Sequence, residues 1–103
     1  MRNIESVEEF NSMINSDRLV VVDFTATWCG PCKIIGPIFS NYESQFSNVT
    51  FAKVDVDENE EIVSSYNISC MPTFKFFKNG EVVDTLSGND QDGLLNMIRN
   101  NSQ

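Results

Sequence analysis

Histidine is absent from this 103-residue chain, and cysteine, tryptophan and basic side chains are scarce. Without histidine there is neither imidazole acid–base catalysis nor a histidine-ligated metal, so chemistry falls to cysteine, carboxylate, lysine or backbone. Three cysteines are too few, and too odd a number, for the disulfide framework of a small secreted domain. Seven basic residues against fifteen acidic ones give a net charge of −8. That deficit of Lys and Arg speaks against nucleic acid or an anionic membrane as partner, because phosphate contacts need both. No apolar run reaches the length of a membrane span; the longest, near Leu19, stops at Asp23. The segment Met1–Ser6 has no apolar stretch of the kind a secretory leader needs, so a reducing cytoplasm is the expected compartment. The sequons at Asn48-Val49-Thr50 and Asn67-Ile68-Ser69 are then chance matches.

The chain does have the means to build a core: 41% of it is hydrophobic, with eight phenylalanines. Its length suits a single domain over 1–103. Ser6-Val7-Glu8-Glu9 has the capping-box pattern, and Val7, Phe10, Met13 and Ile14 share a helical face, predicting a helix over 7–15. Residues 18–24, apolar and largely β-branched from Leu19 onward apart from Asp23, read as a strand buried on both sides. Ile34, Ile35, Ile38, Phe39, Tyr42 and Phe46 keep helical spacing through Pro37, which should bend that helix without ending it. Val49–Val56 alternates as a strand, and the acidic run Asp57–Glu61 opens a short helix holding Ile62, Val63 and Tyr66. Thr73–Phe77 and Glu81–Leu86 flank Asn79-Gly80, a strong hairpin signal, and Leu94, Leu95 and Ile98 mark a closing helix. The order is parallel βαβ first and an antiparallel hairpin second, an α/β domain with a mixed sheet.

Cys29-Gly30-Pro31-Cys32 lies where the buried strand hands over to the helix. There the first cysteine meets the unpaired N–H groups and positive dipole end of the helix, which favour a thiolate. Cys29 is therefore the candidate nucleophile, and Cys32, one turn further in, is suited to resolve a mixed disulfide. Pro31 occupies an early helical position where its missing N–H costs nothing, and Gly30 leaves room for a partner's backbone. The alternative is half of a zinc or iron–sulfur site, but such sites want four ligands, and the chain offers one further cysteine. Asp55-x-Asp57-x-Asn59 imitates a calcium loop without the glycine and glutamate that such a loop needs. Asp23, a carboxyl in an apolar strand, should have its pKa raised by burial and could exchange a proton with Cys32 through water. Otherwise it is a carboxyl satisfied by backbone or water, with no role.

Trp28-Cys29-Gly30-Pro31-Cys32-Lys33, the Val-Asp-Phe strand, Pro37, Lys53, Met71-Pro72-Thr73 and Gly88 together make the chain resemble the thioredoxin family along essentially its whole length. The resemblance implies a thioredoxin fold: a central five-stranded mixed β-sheet flanked by four α-helices, with Met71-Pro72 a cis peptide against the cysteine pair. It implies that Lys53 stands near Asp23 and that Trp28, its indole held by Asp57, forms docking surface. Met71, Pro72 and Gly88 would face the substrate, whose strand could pair with the main chain of Met71. In bland terms Lys53 is a solvated strand residue, Trp28 simple packing, and Gly88 a turn. Cys70 is either a packing residue or, at a position where some animal-type members carry cysteine, a regulatory thiol whose oxidation blocks docking or links two monomers.

The function so implied is protein-disulfide reduction by Cys29 and Cys32, with Asp23 and Lys53 assisting. No cofactor would be bound; NADPH would act indirectly through thioredoxin reductase. Clients would be disulfide-containing proteins such as peroxiredoxins, and the chain a monomer. The Gly-Pro spacer, with no histidine before Cys32, favours a reducing poise over an oxidising folding factor. A different reading is a thioredoxin-fold interaction subunit that uses its cysteines little.

Overall fold

The computed structural model describes residues 1–68 and 71–103. Cys70, a sequence-based candidate, lies outside the described residues. The elements run β1 (Arg2–Asn3), α1 (Val7–Ile14), β2 (Leu19–Thr25), α2 (Gly30–Tyr42), β3 (Val49–Asp55), α3 (Glu60–Ser64), β4 (Thr73–Lys78), β5 (Glu81–Ser87) and α4 (Gln91–Asn101). They form the expected five-stranded mixed sheet, in the order β1-β3-β2-β4-β5. β2 occupies its middle, parallel to β3 and antiparallel to β4. That position explains its composition, since both faces are covered and six of its seven residues are buried.

Alternation along β2 sorts the core into two layers. Val20, Val22 and Phe24 join Phe10, Ile14, Ile62 and Phe77 beneath α1 and α3. Leu19 and Val21 join Ile35, Phe39, Phe74, Leu94 and Ile98 beneath α2 and α4. By the same alternation Asp23 and Thr25 fall on the α2 side, so a carboxyl is carried into the layer under the cysteine helix.

Local chemistry sets the ends of the elements. Ser6 caps α1 by accepting the Glu9 N–H at 3.1 Å. Glu9 does not complete the box on Ser6; it accepts the Glu5 N–H at 3.1 Å and pairs with the Arg2 guanidinium. α2 continues through Pro37 to Tyr42. α3 ends earlier than the apolar spacing predicts, because Tyr66 leaves the helix. Its ring packs against Phe10, Phe24 and Phe77 at centroid distances of 5.7, 6.2 and 5.6 Å. Burial there pushes the phenol pKa up. The Asn79-Gly80 turn has Asn79 at φ 54° and Gly80 at φ 82°, the left-handed pair that a tight hairpin needs.

Candidate active site

The site forms at the end of β2 where α2 begins. Cys29 is the N-cap of α2, and its Sγ accepts the Cys32 N–H at 3.2 Å. The two cysteines are joined as a disulfide with Cα atoms 5.3 Å apart, well within the span that a bridge tolerates. On reduction, the sulfur that meets the helix N-terminus is that of Cys29, and there a thiolate gains both a donor and the dipole. In the disulfide state the two are almost equally buried, 5% exposed for Cys29 and 4% for Cys32. Position at the cap, rather than burial, therefore distinguishes the two thiols.

Around the pair, Ala26, Val56 and Met71 supply an apolar collar. Met71-Pro72 is a cis peptide. The Pro72 carbonyl accepts the Gly88 N–H at 2.8 Å, and Gly88 holds φ +92°, a conformation costly for any residue with a Cβ. Gly88 thus braces the proline loop across the end of β5. Among the described residues the main chain of Met71 makes no hydrogen bond, so it could receive an extended segment. Gly30 has ordinary backbone geometry, and a Cβ there would meet nothing within 4 Å, leaving open space above the disulfide.

Trp28 is 65% exposed, the largest apolar side chain on the surface beside the pair. Its indole N–H donates to Asp57 Oδ2 at 2.7 Å, a charge-assisted bond at the short end of the normal range. Ile34, also exposed, extends the apolar surface along α2.

Asp23 is 1% exposed, and its Oδ1 has no hydrogen-bond partner. Burial pushes its pKa up to about 7, against the opposing pull of the Lys53 charge. Lys53 stands directly opposite Asp23 in the parallel register of β2 and β3, without an ion-pair contact among the described residues. Lys53 also lines a cleft of about 420 Å³ with Thr25, Thr27, Cys32, Gly36 and Asp55. Cys32 therefore borders an open cleft, and a carboxyl poised near neutrality lies in the same layer. That is the arrangement a thiol needs to lose and regain a proton near pH 7. No group of three or more Cys, Asp or Glu able to hold a metal occurs among the described residues.

The structure thus brings Asp23, Trp28, Cys29, Gly30, Pro31, Cys32, Lys53, Met71, Pro72 and Gly88 to one end of the sheet. Sequence reading met Asn59 only as a member of a false calcium loop, and its burial as a polar side chain appears only in the fold.

A family model described as Thioredoxin matches residues 3–100. A thioredoxin of Equus caballus is 47% identical over 101 residues, covering 96% of each chain. The crystal structure of Malassezia sympodialis thioredoxin superposes with a TM-score of 0.95 at 44% identity, covering 99% of this chain and 93% of that one. A chain solved in work on the thiol-resolving mechanism of yeast mitochondrial 1-Cys peroxiredoxin via glutathione/thioredoxin systems gives a TM-score of 0.91 at 31% identity, covering 97% and 94%.

Proposed function

The chain belongs to the thioredoxin family, and from that premise we propose how its thiol–disulfide oxidoreductase chemistry is divided among these residues. The observation that carries the proposal is the Cys29–Cys32 disulfide at the N-cap of α2, with the Cys29 sulfur accepting a helix N–H. In the reduced protein the Cys29 thiolate attacks one sulfur of a client disulfide. A Cys29–client bond forms, the client bond breaks, and the other client sulfur leaves as thiolate. Cys32 then loses its proton through water to the Asp23 carboxylate, and its sulfur attacks Sγ of Cys29. The mixed disulfide breaks, the Cys29–Cys32 bond forms, and the client departs with both of its sulfurs reduced. Two electrons have moved from this chain to the client.

Lys53 steadies the Asp23 anion when the client leaves water nearby scarce. Trp28, Gly30, Pro31, Met71, Pro72 and Gly88 form the shallow surface on which the client rests. Recovery of the dithiol falls to thioredoxin reductase drawing on NADPH, with no cofactor held by this chain. Disulfide-bearing proteins such as peroxiredoxins are the proposed clients, a reading supported by the neighbour solved in peroxiredoxin work. No helix among the described residues is long and apolar enough to cross a membrane. A cytoplasmic monomer is the proposed working form. The proposal for Cys70, oxidative blocking or linking of two monomers, rests on sequence. It fails if oxidised protein runs only as monomer on non-reducing gels and Cys70 resists alkylation.

Reduction of insulin disulfides with NADPH and thioredoxin reductase tests the scheme. Turnover that stops on replacing either cysteine of the pair is expected. Absence of turnover by the intact protein would leave only an interaction subunit on the same fold.

A further inference from the structure

Three polar side chains are buried among the described residues: Asp23, Asn59 and Thr73. Asp23 lies in the layer beneath the disulfide and Thr73 follows the cis proline, whereas Asn59 has had no part in the chemistry so far. It stands at the N-cap of α3, yet its side chain makes no capping hydrogen bond. The first turn is closed by main chain alone, from the Val63 N–H to the Asn59 carbonyl at 3.0 Å. The amide instead turns back, and Nδ2 donates to the Asp55 carbonyl at 3.0 Å.

Asp55 is the hub of the loop. Its carbonyl also accepts the Glu58 N–H at 3.2 Å, and its Oδ1 accepts the Asp57 N–H at 2.9 Å. Next to it, the Val56 N–H bonds the Thr25 carbonyl at 2.9 Å and fastens the loop to the end of β2. Asp57 in turn holds the indole of Trp28. One run of hydrogen bonds therefore leads from a buried amide to an exposed ring.

We propose that Asn59 is a positioning residue for Trp28, acting through Asp55 and Asp57. An indole that is mostly in water has little packing to fix it, so its orientation depends on how firmly Asp57 is held. A ring already oriented loses less freedom when a client docks, and that saving appears in affinity more than in the chemical step. The inference rests on the reading of Trp28 as docking surface, and its test separates the two.

Asn59→Leu keeps the branched shape, somewhat enlarged, without the donor. Asn59→Ser is a favourable N-cap for α3 but is too short to reach the Asp55 carbonyl, so it keeps the test valid if the leucine variant misfolds. Trp28 is the sole tryptophan, so time-resolved anisotropy of the reduced protein reads this ring alone. Both variants should add fast indole rotation, raise KM for insulin roughly three- to tenfold and hold kcat within about twofold. Reduction of a small aromatic disulfide should not change. Unaltered indole rotation in a folded variant overturns the proposal. A raised KM with unaltered rotation also overturns it, because Asn59 would then act by another route. Faster rotation with unchanged KM supports the positioning chain and removes Trp28 from the docking surface.

Discussion

Replacing Asp23 with asparagine should make the protein more stable at alkaline pH, and the size of the gain follows from the site. Asp23 is almost fully buried, has an unpartnered oxygen, and has its pKa pushed up to about 7. In the unfolded chain an aspartate titrates near ~4. Between those two values the fold keeps a proton that the unfolded chain has released. A raised carboxyl pKa thus contributes stability that is fully present below the unfolded value and is lost as pH rises through the folded one. The slope in that window is about 1.4 kcal/mol per pH unit, so ionisation of Asp23 should cost about 3 kcal/mol between about pH 5 and pH 9. The amide introduced by Asp23→Asn would fill the same space and cannot ionise. Urea unfolding of both oxidised proteins across this range gives the difference in stability, in which the titration of other groups cancels. The wild type should lose about 3 kcal/mol relative to Asp23→Asn as pH rises, with the loss levelling off above about pH 8. A difference that stays flat with pH, or that grows in favour of the wild type, would refute the buried-proton reasoning.

Lys53→Met removes the charge that holds Asp23 down. The pH at which reduction of protein disulfides reaches half its maximum should then move upward, whereas an unmoved profile would mean that Lys53 does not act on Asp23 during turnover. Gly88→Ala should destabilise the fold by about 1–2 kcal/mol through backbone strain alone, since φ is +92° and the new Cβ would touch nothing within 4 Å. Gly30→Ala, with ordinary backbone geometry and the same open space, should leave thermal stability unchanged or slightly raised. Equal melting points for the two alanine variants would contradict the role given to Gly88.

Much of this architecture is legible in the chain because local and global signals agree. The buried β2, the capped start of α2 and the Asn79-Gly80 hairpin each follow from residues adjacent in sequence. What escapes are features made by distant partners. β1 has two exposed residues and no apolar alternation; it exists because β3 leaves an edge open beside it. The register shift between Phe76 and Phe77 pairs them with Asp84 and Val82, leaving Val83 as the extra residue, and nothing local announces it. The Asn79-Gly80 turn has a second task, since its N–H groups bond the carbonyls of Ser16 and Ile14 at 2.8 Å and close the end of α1. Asn59 reads in sequence as one member of a false calcium loop, and only the fold reveals its amide turned inward on Asp55. In the site itself, Asp23 and the cysteine pair stand out by residue type, whereas the Gly88–Pro72 link joins segments sixteen residues apart.

The division of labour between the two thiols is the central claim, and mixed-disulfide trapping tests it most directly. Cys32→Ser and Cys29→Ser proteins are reduced, incubated with disulfide-bearing clients, quenched by alkylation and resolved on non-reducing gels. Cys32→Ser should accumulate covalent adducts through Cys29 that a reductant releases, and Cys29→Ser should form none. Equal trapping by both variants, or adducts on Cys29→Ser alone, would contradict the assignment of Cys29 as the attacking sulfur.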